Sequence, residues 1–113
     1  MIIAVVVPCY RVKHQILGVL SGIGTECDLV VVVDDACPEG TGDHVEKSCS
    51  DPRVRVLRHA HNQGVGGATL TGYTAALEAG AQIIVKIDGD GQMDPTLISR
   101  IVSPIREIGR AHV

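Results

Sequence analysis

Four short runs rich in Val, Ile and Leu recur along the chain, at residues 2–7, 29–33, 53–57 and 83–87. Three of these runs are almost wholly apolar and predict strands that are buried on both faces. Residues 53–57 instead alternate charged and apolar side chains, which predicts a strand near a sheet edge. Residues 2–7 end at Pro8, which is expected to close the first strand.

The segments between these runs predict the helices. Apolar residues recur near the helical period over residues 12–23 and, more weakly, over residues 43–49. A third helix is predicted, with one face marked by Leu70, Tyr73, Thr74 and Leu77. Residues 97–105 predict a final amphipathic helix that Asp94 caps. Strands and helices that alternate in this way predict an α/β fold, with a mostly parallel, Rossmann-like sheet and helices on both faces.

The run at residues 83–87 stops abruptly in Asp88, Gly89, Asp90, Gly91 and Gln92. Open α/β sheets bind their ligands at the carboxyl ends of the strands, and residues two apart in extended chain face the same side. Asp88 and Asp90 are therefore predicted to converge on one cation, and oxygen ligands suit Mg²⁺ or Mn²⁺. A plain strand-to-helix turn would leave these two acids unexplained.

The run at residues 29–33 also ends in acids, Asp34 and Asp35. Successive residues of a strand face opposite sides, so one acid is predicted to be a buried structural acceptor and the other a ligand contact. Because Asp35 comes just past the buried run, its replacement is expected to spare the fold. Replacement of a buried Asp34 is expected to lower stability.

Glycines mark the predicted start of the third helix, at Gly64, Gly66 and Gly67. Backbone amides and the helix dipole favour an anion at such a position. The spacing matches neither the dinucleotide-binding fingerprint nor a Lys-bearing phosphate loop, so phosphate contact and simple tight packing both stay open. His59 and His61 precede the glycines and are interpreted as surface residues without a metal.

Composition argues against several classes of function. The net charge of −3 carries no basic patch, and Tyr10 and Tyr73 are the only aromatic residues, so no nucleic-acid partner is expected. The four cysteines lack the spacing of a zinc site, which favours reduced thiols and a cytoplasmic location. The apolar start is too short to span a bilayer.

The end of the chain departs from the helical pattern at residues 108–113, which can be back-translated into a sequence that resembles a common short-read sequencing adapter. We therefore expect residues 107–113 to be a non-native tail. Residues 1–106 are expected to be one unit, and no linker or internal repeat divides them.

Five motifs follow one another along the chain. They are Val-Val-Pro8-Cys-Tyr10, Val-Val-Asp34-Asp35, Arg58-His-x-x-Asn62-x-Gly64-Val-Gly66, Gly72-Tyr-x-x-Ala-Leu-x-x-Gly-Ala81 and Asp88-Gly-Asp90-Gly-Gln92-Met-Asp-Pro95. In this order and spacing they resemble the N-terminal half of the inverting family-2 glycosyltransferases, which have the GT-A fold. The last motif looks most like the branch that includes dolichyl-phosphate mannosyltransferase and bacterial polyprenyl-phosphate glycosyltransferases.

The resemblance implies that residues 1–106 are the nucleotide-sugar-binding half of an incomplete GT-A domain. Pro8, Tyr10 and Asp35 would line the pocket for the base and ribose of a nucleotide-diphosphate sugar. Gly64 and Gly66 would also belong to the nucleotide site.

The resemblance further implies that Asp88, Asp90 and Gln92 gather around Mg²⁺ or Mn²⁺ and the donor diphosphate. A polyprenyl phosphate acceptor is already anionic and needs no strong protein base, and no catalytic base is assigned. Membrane contact, at the cytoplasmic face, would come only through a C-terminal segment absent from this chain. The chain alone is expected to be inactive.

Two other functions stay open. A sugar-phosphate nucleotidyltransferase would normally show a Gly-rich phosphate loop with Arg or Lys after the first strand, and Pro8-Cys-Tyr10 is not such a loop. A non-catalytic or degenerate nucleotide-binding domain would keep the pocket alone. The family commonly has Asn-Glu where this chain has Arg11-Val12, so the donor nucleotide also stays open.

Overall fold

The computed structural model describes residues 1–111. Its elements are β1 (Ile3–Cys9), α1 (Ile16–Ser21), β2 (Leu29–Asp34), α2 (Thr41–Ser48), β3 (Val54–Arg58), α3 (Gly64–Glu78), β4 (Ile83–Lys86) and α4 (Ile98–Ala111). A short 3₁₀ helix, Pro95–Leu97, precedes α4. Strands and helices alternate as the apolar runs predict.

The four strands form one parallel sheet in the order β3-β2-β1-β4. Val5 of β1 is level with Val30 of β2 and with Val85 of β4. The predicted parallel α/β sheet is thus confirmed. The chain runs outward from β1 to β2 and β3 and then returns to β4 on the other side of β1, so the strand order reverses between β1 and β4. Open α/β sheets bind ligands outside the carboxyl ends of the strands at such a switch point.

The two faces of the sheet carry separate apolar clusters, because alternate residues of a strand point to opposite sides. Ile3, Val5 and Val7 of β1 pack in one cluster with residues of α1, α2 and α4. Ala4 and Val6 pack in the other cluster with residues of α3. Helices therefore cover both faces, as predicted.

Small residues form the buried face of α3. They are Ala68, Gly72 and Ala76. A methyl group at Gly72 would overlap the side chain of Val6 in β1. Leu70 and Leu77, which the sequence places on one face of this helix, are both largely exposed, so that face is not the core face. A helix that lies so close to a Val-rich strand has no room for large side chains at the contact.

β1 continues through Pro8 to Cys9, so the prediction that Pro8 ends the strand is wrong. The carbonyl of Cys9 accepts a hydrogen bond of 3.0 Å from the amide of Asp35, on the β2 side. Residues of a strand bond alternately to the two neighbours, so Pro8 faces the β4 side. On that side the amide of Ile87 donates a hydrogen bond of 3.0 Å to the carbonyl of Val6, and the ladder stops after this bond because Pro8 has no N–H to donate.

The edge strands are only half buried. β3 lies at one edge, as its alternating pattern predicts. β4 lies at the other edge, so the prediction that residues 83–87 form a strand buried on both faces is wrong. A continuous apolar run therefore did not distinguish a central strand from an edge strand.

α4 continues to Ala111, so the departure predicted at residue 108 does not end the helix. Residues 112–113 lie outside the described residues, and the non-native origin of residues 107–113 stays a prediction. Asp94 caps the 3₁₀ helix as predicted, since its carboxylate accepts a hydrogen bond of 2.9 Å from the amide of Thr96. Among residues 1–111, no helix is long and apolar enough to cross a membrane. All four cysteines are free thiols.

Candidate functional site

An open pocket lies beside the carboxyl end of β1. The residues that line it are Pro8, Cys9, Tyr10, Asp35, Val65 and Ala68. Pro8, Tyr10 and Asp35, which the sequence assigns to a nucleotide site, thus lie together. Gly64 and Gly66 are the chain neighbours of Val65, in the first turn of α3. The pocket therefore gathers the ends of two strands and the N-terminus of one helix.

Asp34 is the buried structural acceptor that the sequence predicts. Its two carboxylate oxygens accept hydrogen bonds of 2.8 Å from the amides of Cys37 and Gly42. Gly42 packs so closely that a methyl group there would lie 2.9 Å from Oδ2 of Asp34. Asp34 therefore joins the end of β2 to the following turn and to α2.

Asp35 is also buried, with a side chain that is 4% exposed, so the prediction that it lies outside the buried structure is wrong. Its Oδ1 accepts a hydrogen bond of 2.8 Å from the amide of Gln63 and lies 2.7 Å from Nδ1 of His59. Burial opposes ionisation, but hydrogen bonds from Gln63, His59 and Gly64 outweigh it and hold the pKa of Asp35 below its ordinary value. Asp35 is thus an ionised carboxylate that lines the pocket and also holds the loop before α3.

His59 is not the surface residue that the sequence predicts. Its side chain is 6% exposed, and its Nε2 lies 2.8 Å from Oγ1 of Thr71. His61, by contrast, is exposed as predicted. Asp34 and Arg58 are level in the register, so the residues that follow them, Asp35 and His59, leave neighbouring strands side by side.

Asn62 is a second contact that sequence reasoning missed. Its Nδ2 donates a hydrogen bond of 3.1 Å to the carbonyl of Asp35, and its Oδ1 accepts one of 3.1 Å from the amide of Gly64. Gly64 has a φ of +79°, in the left-handed region that glycine adopts most readily. These contacts place the first turn of α3 beside the end of β2.

Asp88 follows β4 outside any regular element, and Asp90 lies in a turn that includes Gly89. The strand geometry from which their convergence was predicted therefore does not extend to Asp90. The turn is nevertheless next to β1, since a methyl group at Gly89 would lie 3.1 Å from Sγ of Cys9. Gly91 has a φ of +80°, which explains why glycine is needed there. Both acids thus lie near the switch point of the sheet.

The side chains of the predicted metal site are exposed. The carboxylate of Asp88 pairs with the ammonium of Lys86 at 2.9 Å, and Oδ1 of Asp90 accepts a hydrogen bond of 3.0 Å from the amide of Gln92. Within the described part of the chain, no group of three or more His, Cys, Asp or Glu is placed to hold a metal ion. The donor set still fits Mg²⁺ or Mn²⁺, because such ions commonly take one or two carboxylates and complete their shell with water and substrate phosphate.

Comparisons with known proteins show the family to which the sequence belongs. The family model described as glycosyl transferase family 2 matches residues 4–113. Undecaprenyl-phosphate mannosyltransferase of Micrococcus luteus is 36% identical over 105 residues, which cover 89% of this chain and 43% of that protein. Polyprenol monophosphomannose synthase of Mycolicibacterium smegmatis is 30% identical over 105 residues, which cover 89% of this chain and 40% of that protein.

A solved structure shares the fold. The crystal structure of S. aureus TarS 1-349 in complex with UDP has a TM-score of 0.71 and 26% identity, and the match covers 95% of this chain and 32% of that chain. This likeness supports the predicted GT-A type of sheet. The chain spans 43% and 40% of the lengths of the two relatives named above. Because the family model covers nearly the whole sequence, the chain belongs to glycosyl transferase family 2.

Proposed function

We propose that this chain is the part of a glycosyltransferase that binds the nucleotide-diphosphate sugar, at the carboxyl edge of the sheet. The observation that carries the proposal is the pocket in which an ionised, buried Asp35 meets Pro8 and Tyr10. The names of the two relatives support the transfer of a sugar, and the UDP complex of TarS supports a donor that carries a nucleotide.

The side chains of the pocket suit a nucleoside. Tyr10 is 44% exposed, and the guanidinium of Arg11 lies 5.5 Å from the centre of its ring, so the opposite face of the ring would stack on a base. Asp35 accepts hydrogen bonds from hydroxyl or N–H groups, and Pro8 adds an apolar wall. We assign the base and ribose to these three residues.

The first turn of α3 suits a diphosphate. Gly64 and Gly66 are in this turn, and a methyl group at Gly66 would meet nothing within 4 Å, so a ligand has room to approach. Along the described helix α3, the first turn carries no acidic residue and the N-cap residue makes no side-chain cap. Backbone amides and the helix dipole there favour negative charge.

The cofactor we propose is Mg²⁺ or Mn²⁺, which Asp88, Asp90 and Gln92 would hold. When bound, the ion would supply positive charge against the charge that develops on the diphosphate leaving group. Asp88 would exchange its ammonium partner, Lys86, for the cation.

The reaction we propose is inverting transfer to a polyprenyl phosphate. The bond between the sugar C1 and the diphosphate oxygen breaks, and an acceptor oxygen bonds to C1 from the opposite face. A phosphate acceptor is already ionised, so a protein base is not required. Contact with the cytoplasmic face of a membrane belongs, in this proposal, to a segment outside this chain.

A thermal-shift experiment tests the donor site and its metal together, because a ligand that binds the native state raises apparent stability. UDP and GDP are each added with Mn²⁺ or with EDTA. We expect one of them to raise the Tm more with Mn²⁺, and we expect Asp90→Ala to remove most of this difference.

The matched control is Asp94→Ala, which changes another acid of the same segment. Asp94 caps the 3₁₀ helix, so this variant should lower the Tm without changing the response to nucleotide. Equal responses with Mn²⁺ and EDTA would contradict the metal site. A lack of response to every nucleoside diphosphate would contradict the donor pocket.

A further inference from the structure

His59 joins three elements beside the pocket. It directly follows β3, its Nδ1 lies 2.7 Å from Oδ1 of Asp35 after β2, and its Nε2 lies 2.8 Å from Oγ1 of Thr71 in α3. The side chains of His59 and Asp35 are 6% and 4% exposed. Short contacts between buried polar groups restrict both partners strongly.

The imidazole ring is held at both nitrogens. An ionised Asp35 can only accept, so Nδ1 carries the hydrogen of that contact. Oγ1 of Thr71 lies 2.8 Å from Nε2 and 3.1 Å from the carbonyl of Gly67, and its single hydroxyl hydrogen can be donated to only one of these two acceptors. The plane of the ring is therefore set by α3 as well as by Asp35.

Two of the donors to Asp35 share one of its two oxygens. The imidazole and the amide of Gln63 both bond to Oδ1, while the residue also lines the pocket. A carboxylate that is held in this way cannot turn about its Cβ–Cγ bond without losing these partners. The direction in which it accepts further hydrogen bonds is therefore fixed before a ligand arrives.

We propose that His59 is a positioning residue for nucleoside recognition, which holds the Asp35 carboxylate in the orientation that accepts hydrogen bonds from hydroxyl or N–H groups of the nucleoside. This inference rests on the donor site proposed above. His59 itself need not touch the nucleotide.

The loop that carries His59 has anchors besides the imidazole. The backbone amide of His59 donates a hydrogen bond of 2.9 Å to the carbonyl of Asp34, and Nδ2 of Asn62 donates one of 3.1 Å to the carbonyl of Asp35. Loss of the ring should therefore release the carboxylate more than it releases the loop. A positioning role therefore predicts that loss of the ring weakens nucleotide binding more than it lowers stability, whereas a purely structural role predicts that both fall together.

Three substitutions of His59 in the full chain isolate the Nδ1 contact. His59→Phe keeps a ring without a donor. His59→Asn places an amide near the position of Nδ1, where it can donate to Asp35. His59→Gln places its amide nearer the position of Nε2, toward Thr71, and gives a second variant without the Asp35 contact if the Phe variant does not fold.

The affinity of each variant for UDP and GDP is measured by calorimetry with Mn²⁺, alongside Tm. We expect His59→Phe and His59→Gln to bind about tenfold or more weakly, as the loss of a hydrogen bond to a charged group implies. We expect His59→Asn to recover most of the affinity even where its Tm does not recover. In an Asp35→Asn background, His59→Phe should weaken binding no further, because the two residues act as one unit.

Two results would overturn this assignment while the wild-type chain still binds nucleotide. One is wild-type affinity in both His59→Phe and His59→Gln. The other is a loss of affinity in His59→Phe that adds in full to the loss caused by Asp35→Asn in the double variant, together with an affinity of His59→Asn that is no higher than that of His59→Phe. Absence of nucleotide binding in the wild-type chain would overturn the proposed donor site, and the role of His59 with it.

Discussion

Asp34 and Asp35 are adjacent buried acids that hold different parts of the site. Asp34 bonds the turn and helix that follow β2, and Asp35 bonds the loop that precedes α3. A buried carboxylate is stable only when several donors surround it, and each acid has such donors. Asp35 therefore stabilises the fold and also lines the pocket. An exposed residue that only contacted a ligand would not stabilise the fold in this way.

Replacement of Asp35 by Asn is expected to lower the free energy of unfolding by about 1–3 kcal/mol at neutral pH, because the buried donors lose a charged acceptor. The folded-state pKa of Asp35 lies below its ordinary value of 3.8. Its contribution is therefore complete above that ordinary value and is lost as the pH falls through the lower folded-state pKa.

Urea unfolding of the wild-type chain and Asp35→Asn over a range of pH checks this prediction. The difference in unfolding free energy should be largest near neutral pH and should shrink on acidification below the ordinary pKa. A difference that grows toward acid would show that the charge of Asp35 does not stabilise the folded state. Asp34→Asn should also lower stability, because the amides of Cys37 and Gly42 both donate to the carboxylate of Asp34 and would lose a charged acceptor.

Single residues also show where sequence reasoning succeeded and failed. Asp34 could be predicted as a buried acceptor, and Asp94 as a cap, because each role follows from a local pattern. His59 could not, because its partner Asp35 is 24 residues away along the chain and the contact exists only when β2 and β3 pair. Burial that depends on strand pairing is not visible in local sequence.

Among the elements, α3 has the most direct effect on the site. Its small buried face lets it lie close to β1, and Val65 and Ala68 near its start line the pocket. Periodicity predicted the helix but did not show that small residues, rather than Leu70 and Leu77, form its buried face. The reason is that close packing at Gly72 depends on shape, which hydrophobic periodicity does not measure.

Gly72→Ala tests this packing. Alanine alone would favour a helix by about 1 kcal/mol, but the overlap with Val6 should outweigh this gain and lower stability by about 1–3 kcal/mol. The matched control is Gly18→Ala in α1, where an added methyl group meets nothing within 4 Å and stability should rise. Urea unfolding measures both variants. Equal gains in stability would show that α3 does not need glycine at this contact.

The strands give a second example at this scale. Apolar runs located all four strands within a few residues, because burial in a parallel sheet requires such runs. They could not show that β4 is an edge strand, since the strand order depends on which neighbours pair. The turn at Asp88 and Asp90 likewise could be located from its glycines, but its shape could not be predicted from strand geometry.

For the whole molecule, the parallel sheet brings the ends of β1, β2 and β4 to one edge, and both predicted parts of the donor site lie there. The chain spans 43% and 40% of the two mannosyl-transfer relatives, so the described sheet corresponds to part of such a protein. We expect donor binding to be a property of this part. Transfer also requires a positioned acceptor, and positioning can supply about 7–11 kcal/mol of barrier lowering.

The purified chain is therefore expected to show no transfer at ordinary enzymatic rates. The assay combines UDP- or GDP-sugars, polyprenyl phosphate and Mn²⁺, and it follows the labelled sugar into the lipid fraction. Turnover at rates usual for enzymes would mean that this chain already contains an acceptor site.

The central claim is that the pocket around Asp35 binds the nucleotide of a donor sugar. Calorimetric titration of the wild-type chain and Asp35→Asn with UDP and GDP, in the presence of Mn²⁺ and at a temperature where both are folded, tests it most directly. We predict saturable binding of one of these nucleotides to the wild-type chain, and affinity weaker by about tenfold or more in Asp35→Asn. Equal affinity of the two proteins, or no binding to either, would contradict the account.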